Sequence, residues 1–355
     1  MILNPQMVIL AREFQGITQA ELAERSGLKQ PRIARIEAGI GADLSDDEKA
    51  RIFSALEFPR EFFFLSEERY GYGTSSIFTR TRQLTATERK RLSGLVNVLR
   101  IQTKKMLDHV DVQASRPLPR LSLDDYPSAS AIAGTLRDAW KVPLGPVRNL
   151  TKLIEGAGVI IVECDFGSIP MDATSIAVSG IPPMIFINKD VPGDRWRFTL
   201  AHELAHLVMH DIPKPDMEDE ADEFASEFLM PSAEIAPDFA RMGSVKLESY
   251  VTLKGYWGVS IAALIMKAKS LGKISSDQSK NLFIQMARLG IRKNEPAPIA
   301  RESTNLHPMM LGYFRDDMQF TDEEFSKVVL FNPNRLKELY GQTSSSEKPR
   351  LRVVR

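Results

Sequence analysis

The chain has 355 residues, 43% hydrophobic and 26% charged, the composition of a soluble globular protein long enough for two or three domains. Its 46 Lys/Arg balance 46 Asp/Glu, so a uniformly basic nucleic-acid protein is excluded, although a local basic patch is not. The single cysteine, Cys164, excludes an internal disulfide and any metal site built from several thiolates, and its apolar surroundings GVIIVECDF read as a buried thiol. No apolar run reaches the ~18 residues of a membrane span, and the first residues lack a secretion signal, so a cytoplasmic protein is expected.

Residues 1–65 read as five short helices with tight breaks. PQMVILAREF places Met7, Leu10 and Phe14 near one face. Thr18, with Glu21 three residues on, is a capping box that opens a helix stopped by Gly27. A further helix runs from about Lys29 to Ala38 and ends at Gly39. Ser45 and Glu48 form the next capping box, and PREFFFL closes the unit. Helix, glycine turn, helix at this spacing is a helix-turn-helix signature. The solvent side of its second helix would offer Lys29, Gln30, Arg32 and Arg35, groups that can read purine edges in the major groove. The segment resembles the Cro and phage-repressor (XRE) family, in which Thr/Ser-Gln opens the first helix of the pair and an RIE.G phrase closes the second. Here these are Thr18-Gln19 and Arg35 to Gly39. The resemblance implies binding to double-stranded operator DNA.

Residues 1–65 hold eight Lys/Arg and ten Asp/Glu, a net of −2, so phosphate attraction needs a one-sided distribution or help from elsewhere. Residues 66–120 carry eleven Lys/Arg against five acids, a net of +6. From about Thr85 they read as a long basic amphipathic helix, either a solvated connector or an arm for dimerisation or phosphate contact. The Pro- and Ser-rich ASRPLPRLSLDDYPSAS reads as a linker, which ends a connecting region at about residue 128.

Beyond it, residues 129–240 alternate helix and strand. VIIVECDF is a buried strand, and SIAVSG with IPPMIFIN is a hairpin turning at Gly180 and Pro182-Pro183. Then comes DRWRFTLAHELAHLVMHD, with three of the five histidines at 202, 206 and 210. Positions i and i+4 share a helix face, so His202 and His206 present two imidazoles side by side. Glu203 projects to the edge of the same site. His-Glu-x-x-His is the pattern of two metal ligands plus a general base. The flanking Leu200, Ala201, Leu204, Ala205, Leu207 and Val208 imply a buried helix, on which such polar groups need a compensating cation. His210 lies ~12 Å along the axis from His202, too far to share an ion bound at ~2.1 Å; it is expected to act as a cation at the helix C-terminus. The third ligand should come from the next helix, MEDEADEFASEFLMP, at Glu220 on the edge of its apolar stripe, with Asp219 and Glu223 as flanking alternatives. A further carboxylate should orient each imidazole, and Asp222 is a candidate.

RFTLAHELAHLVMH followed by EADEFASEFLMP resembles the ImmA/IrrE family of zinc-dependent endopeptidases, over about residues 130–240. Phe228 stands where that family often has Leu. The resemblance implies a thermolysin-like (gluzincin) core, Zn²⁺ on His202, His206 and Glu220, and Glu203 as the catalytic base. An extended peptide would add to the exposed edge of the hairpin, on either SIAVSG or MIFIN. The fold class expected is α+β and mostly helical: the five-helix head, the connector 66–128, a metallopeptidase domain 129–240 with a small sheet packed on helices, a helical region 241–340, and a polar tail 341–355 that lacks the apolar residues to order itself. The function implied is a DNA-binding regulator acting in stress response, with a homodimer as an option, whose protease cuts a repressor or antitoxin. The alternative is a regulator whose metal domain senses or binds a protein without proteolysis.

Overall fold

In this computed structural model, residues 2–40, 44–71, 77–78, 84–212, 214–243, 245–292, 294–340 and 352–353 are described. Among them no helix is long and apolar enough to cross a membrane. The head contains α1 (Pro5–Gln15), α2 (Gln19–Ser26), α3 (Gln30–Glu37) and α4 (Asp46–Leu56). Both expected capping boxes are formed, at Thr18 with Glu21 and at Ser45 with Glu48, and Gly27 stops α2 in the left-handed conformation. The fifth expected helix is a short 3₁₀ stretch, Arg60–Phe64, whose Phe62 and Phe63 plug the core. A buried ion pair locks the bundle. Arg12 donates through Nε and Nη2 to Glu37 at 2.6 and 3.0 Å, and Gln19 donates to the same carboxylate at 2.8 Å.

After β1 (Ile77–Phe78), α5 (Ala86–Leu107) departs from the sequence reading. It is not a solvated connector: every residue from Leu92 to Thr103 is buried, while Arg89, Lys90 and Arg91 in its first turns are exposed. Arg100 and Lys104 both pair with Glu67, at 3.1 and 2.6 Å. The helix lies against α1, and Gly94 makes this possible, because a Cβ there would sit 2.3 Å from the Phe14 backbone nitrogen. The C-terminal helices α14 (Leu306–Gly312), α15 (Asp322–Val329) and α16 (Pro333–Tyr340) return to the same core. Phe331 meets Phe14 and Phe58 edge-on, and Arg335 pairs with Glu57 at 2.9 Å.

Between these lies the second unit. It comprises α6 (Ala129–Ala139), α7 (Leu150–Glu155), β3 (Ile160–Cys164), β4 (Ala173–Ile176), β5 (Met184–Asn188), α8 (Gly193–Met209), α9 (Met217–Leu229), α10 (Ser232–Arg241), α11 (Leu247–Trp257), α12 (Ile261–Ser270) and α13 (Ser276–Arg288). The sheet order is β1-β4-β5-β3, with β5 parallel to β3 and antiparallel to β4. MIFIN is therefore interior and β4 is the outer strand of the hairpin, paired on its far side with Ile77–Phe78. Strand alternation separates two cores. Ile160, Val162, Met184 and Phe186 face the head and the C-terminal helices, while Ile161, Ile185 and Ile187 face α8.

The Pro-rich segment read as a linker is fixed to this unit. Ser115 donates to the Gly156 carbonyl at 2.8 Å, Leu121 to that of Val208 at 2.9 Å, and Trp140 Nε1 to that of Pro117 at 2.8 Å. The tail expected to be unordered falls mostly outside the described residues; Arg352–Val353 (β6) pairs antiparallel with β2 (Val110–Asp111).

The Gly94 contact yields a direct test. Gly94→Ala should destabilise the protein by about 1–3 kcal/mol through overpacking, because the obstructing atoms are backbone and cannot rotate away. Chemical denaturation measures it; an unchanged midpoint would contradict the close approach of α1 and α5.

Candidate metal centre and DNA-binding head

Helix α8 is apolar on nearly every side, with Leu200, Ala201, Leu204, Ala205 and Leu207 fully buried between the sheet and α9. On this helix the Nε2 atoms of His202 and His206 face each other at 3.1 Å. Each ring is turned by a partner on its other nitrogen: His202 Nδ1 lies 2.8 Å from Asp222 Oδ1, and His206 Nδ1 lies 2.8 Å from His210 Nδ1.

The acid brought to the pair is Glu218, and this corrects the expectation of Glu220. The Glu218 oxygens lie 3.5 Å from His202 Nε2 and 3.7 Å from His206 Nε2, and these three form the group among the described residues that could hold a metal ion. Helix geometry explains the difference. Glu218 and Asp222 are four apart and share a flank of the α9 stripe, whereas Glu220 is turned about 200° from Glu218. Glu220 reaches His210 instead, at 3.0 Å. Glu223 accepts from the Ser130 backbone N–H at 3.0 Å. Asp219, like Glu220, is absent from the group of potential ligands. A carboxylate four residues before another, opposite two histidines also four apart, was the available signal for Glu218.

His210 does not end the helix as a cation. It is the C-cap residue, 3% exposed, with its ring folded back on the preceding turn. Burial lowers its pKa against the pull of Glu220. His202 behaves oppositely. Burial alone would lower it, but the contacts with Asp222 and Glu218 raise it to about 9 in the metal-free protein. Burial pushes Glu203 up to about 7, against the lowering effects of His202 and Ser175.

These residues fit a divalent cation. Two imidazole Nε2 atoms converge beside a carboxylate, and buried Glu203 Oε2 has no hydrogen-bond partner, as expected for an oxygen aimed at a water in the site. A groove of about 1160 Å³ opens on His202 and Glu203, walled by Met171 and Asp172 ahead of β4, Glu223 and Glu227 of α9, and Met266 and Lys267 of α12. His206 is fully buried beneath it.

In the head, Lys29, Gln30 and Arg35 are exposed on α3. Thr18 is spent on its cap, and Gln19 links Glu37 to Gln30, whose Nε2 donates to Gln19 Oε1 at 2.9 Å. Arg32, expected as a groove reader, is held by Glu48 of α4 through Nε and Nη2 at 2.9 and 3.0 Å. Hydrogen bonding to Arg32 lowers the Glu48 carboxyl to about 2.

The fold and site thus define a helix-turn-helix head of the DNA-binding type joined to a metallopeptidase-like unit. Comparison with protein families agrees: residues 9–61 match the helix-turn-helix model and residues 154–269 match the IrrE N-terminal-like domain, a peptidase family. Together the two matches fit the architecture of an XRE-type helix-turn-helix domain followed by an ImmA/IrrE-type domain. No curated protein matches it.

Two outcomes are expected. Because His202 is protonated below about pH 9 in the metal-free protein, ion binding at pH 7 should displace a proton, and apparent affinity should fall as pH drops. Calorimetry in buffers of different ionisation enthalpy reads that proton; buffer-independent heats would contradict it. Arg35→Ala should weaken binding to DNA from upstream of the protein's own gene about tenfold and flatten its salt dependence, as measured by fluorescence anisotropy.

Proposed function

We propose that the protein is a DNA-binding regulator carrying a zinc-dependent endopeptidase that cuts a specific partner protein, of the repressor or antitoxin type. The observation that carries this reading is the convergence of His202 Nε2, His206 Nε2 and Glu218 near the orphaned Glu203 oxygen, beside a groove that His202 and Glu203 line. His202, His206 and Glu218 would hold the ion, which when bound supplies Lewis-acid polarisation of a carbonyl and acidification of water. Three protein ligands are the complement that leaves a zinc position open for chemistry.

Glu203 is the base. Its Oε2 takes the proton of the attacking water and delivers it to the leaving amine nitrogen, and its raised pKa suits both transfers near neutrality. Asp222 keeps the His202 proton on Nδ1, so that Nε2 remains a donor of electrons. The groove takes an extended chain. Met171, Phe198 and Met266 offer apolar contacts, while Arg195 and Lys267 are already committed to Asp172 and Glu227.

Glu203→Gln should retain zinc and lose at least about a hundredfold in cleavage. His202→Ala should lose the ion. Both are tested by metal analysis and by co-expression with the products of neighbouring genes, following their cleavage. Undiminished cleavage by the Glu203→Gln protein would remove the assigned base, and full zinc content in His202→Ala would remove the ligand.

A further inference from the structure

The His202 ring reaches its orienting carboxylate directly, but His206 does not. It is fully buried, and its outward nitrogen meets another imidazole. His210 bridges the gap, with Nδ1 at 2.8 Å from His206 Nδ1 and Nε2 at 3.0 Å from Glu220 Oε2. Glu220 is partly exposed, so the chain of three side chains runs from the metal site toward the surface. His210 is itself anchored: Arg120 donates to its carbonyl at 3.3 Å and pairs with Asp211 at 3.1 Å.

The protons in this chain can be placed by elimination. An ionised carboxylate only accepts, so the proton of a neutral His210 lies on Nε2 and is donated to Glu220. His210 Nδ1 is then an acceptor, and the contact with His206 is a hydrogen bond only if His206 Nδ1 donates. A neutral His206 with its proton on Nδ1 has a bare lone pair on Nε2, the atom that faces His202. The opposite order, with His210 donating from Nδ1, would place the His206 proton on Nε2 and close the site to a cation.

We propose that His210 and Glu220 are positioning residues that hold His206 in its metal-binding tautomer and orientation, an indirect counterpart of Asp222 at His202. The inference rests on the metal reading above. It gives Glu220 a place two rings removed from the ion, and it gives the third histidine of the stretch a use that does not require it to span ~12 Å to a shared ion.

The test is zinc affinity of the full chain, by competition with a chromophoric chelator, together with the visible absorption of the Co²⁺-substituted protein. His210→Ala should weaken zinc binding 10–100-fold and alter the cobalt spectrum. His210→Asn, whose amide oxygen can still accept from His206 Nδ1, should lose less. Glu220→Ala should weaken binding several-fold, and adding it to His210→Ala should cost little more, since the two act in series. Melting temperatures of the metal-free variants separate this from a packing defect. If His210→Ala fails to fold, the surface-reaching Glu220→Ala protein decides alone. Unchanged zinc affinity and cobalt spectrum in either variant, beside a parent that binds both ions, would overturn the relay while sparing the metal site. A parent that takes up neither ion would remove the metal reading and the relay together.

Discussion

Two imidazole nitrogens held 3.1 Å apart on a mostly buried helix are the constraint around which the second unit is built. Polar groups in such a place are tolerated only when every one of them has a partner. The surrounding elements can be read as the supply of those partners. Helix α9 brings Glu218 between the rings and Asp222 behind one of them, and the last turn of α8 doubles back to put His210 behind the other. Strand β4 places Ser175 beside Glu203. Glu203 Oε2, beside the groove, is among the buried oxygens left without a hydrogen-bond partner.

The start of α8 is fixed with equal care. Lys254 of α11, fully buried, bridges Asp194 and Glu295 at 2.5 and 2.8 Å. Arg197 is clamped by Glu302 and by the Val147 carbonyl. Glu295 and Glu302 also accept backbone N–H groups at the first turns of α12 and α7, and Glu155 does the same for α14. Carboxylates at helix N-termini satisfy orphan donors and oppose the helix dipole. The extended segment after α13 therefore works as a strap. It passes so close to α8 that a Cβ on Gly193 would meet the Ile299 carbonyl oxygen at 2.1 Å.

What could be read in the residues alone were the features whose physics is local. Capping boxes at Thr18 and Ser45, the left-handed stop at Gly27, the hairpin at Gly180 and the i,i+4 histidine pair depend on neighbours within one or two turns. What could not be read depended on docking. Five acids lie within six residues from Glu218 to Glu223, and composition does not say which flank of α9 turns toward α8, so Glu220 and Glu218 exchanged places. The charge of α5 suggested solvent, yet Glu67 and the backbone around Tyr70 absorb its polar groups, with Asn97 donating to the Tyr70 carbonyl at 2.8 Å. His210 looked like an end group because its ring direction is set by a cap conformation that periodicity does not encode.

The returning helices α14–α16 have a consequence for the topology as a whole. They seal the same apolar core as α1 and α5, so the head is closed by helices from both ends of the chain, and the peptidase-like unit is an excursion inserted between them. A polypeptide threaded in this way cannot be divided into two beads by severing one tether. A single break in residues 112–127 would leave both fragments clasped, because the stretch joining α13 to α14 still ties the excursion back to the closing helices. Head and peptidase-like unit are thus joined by two covalent crossings.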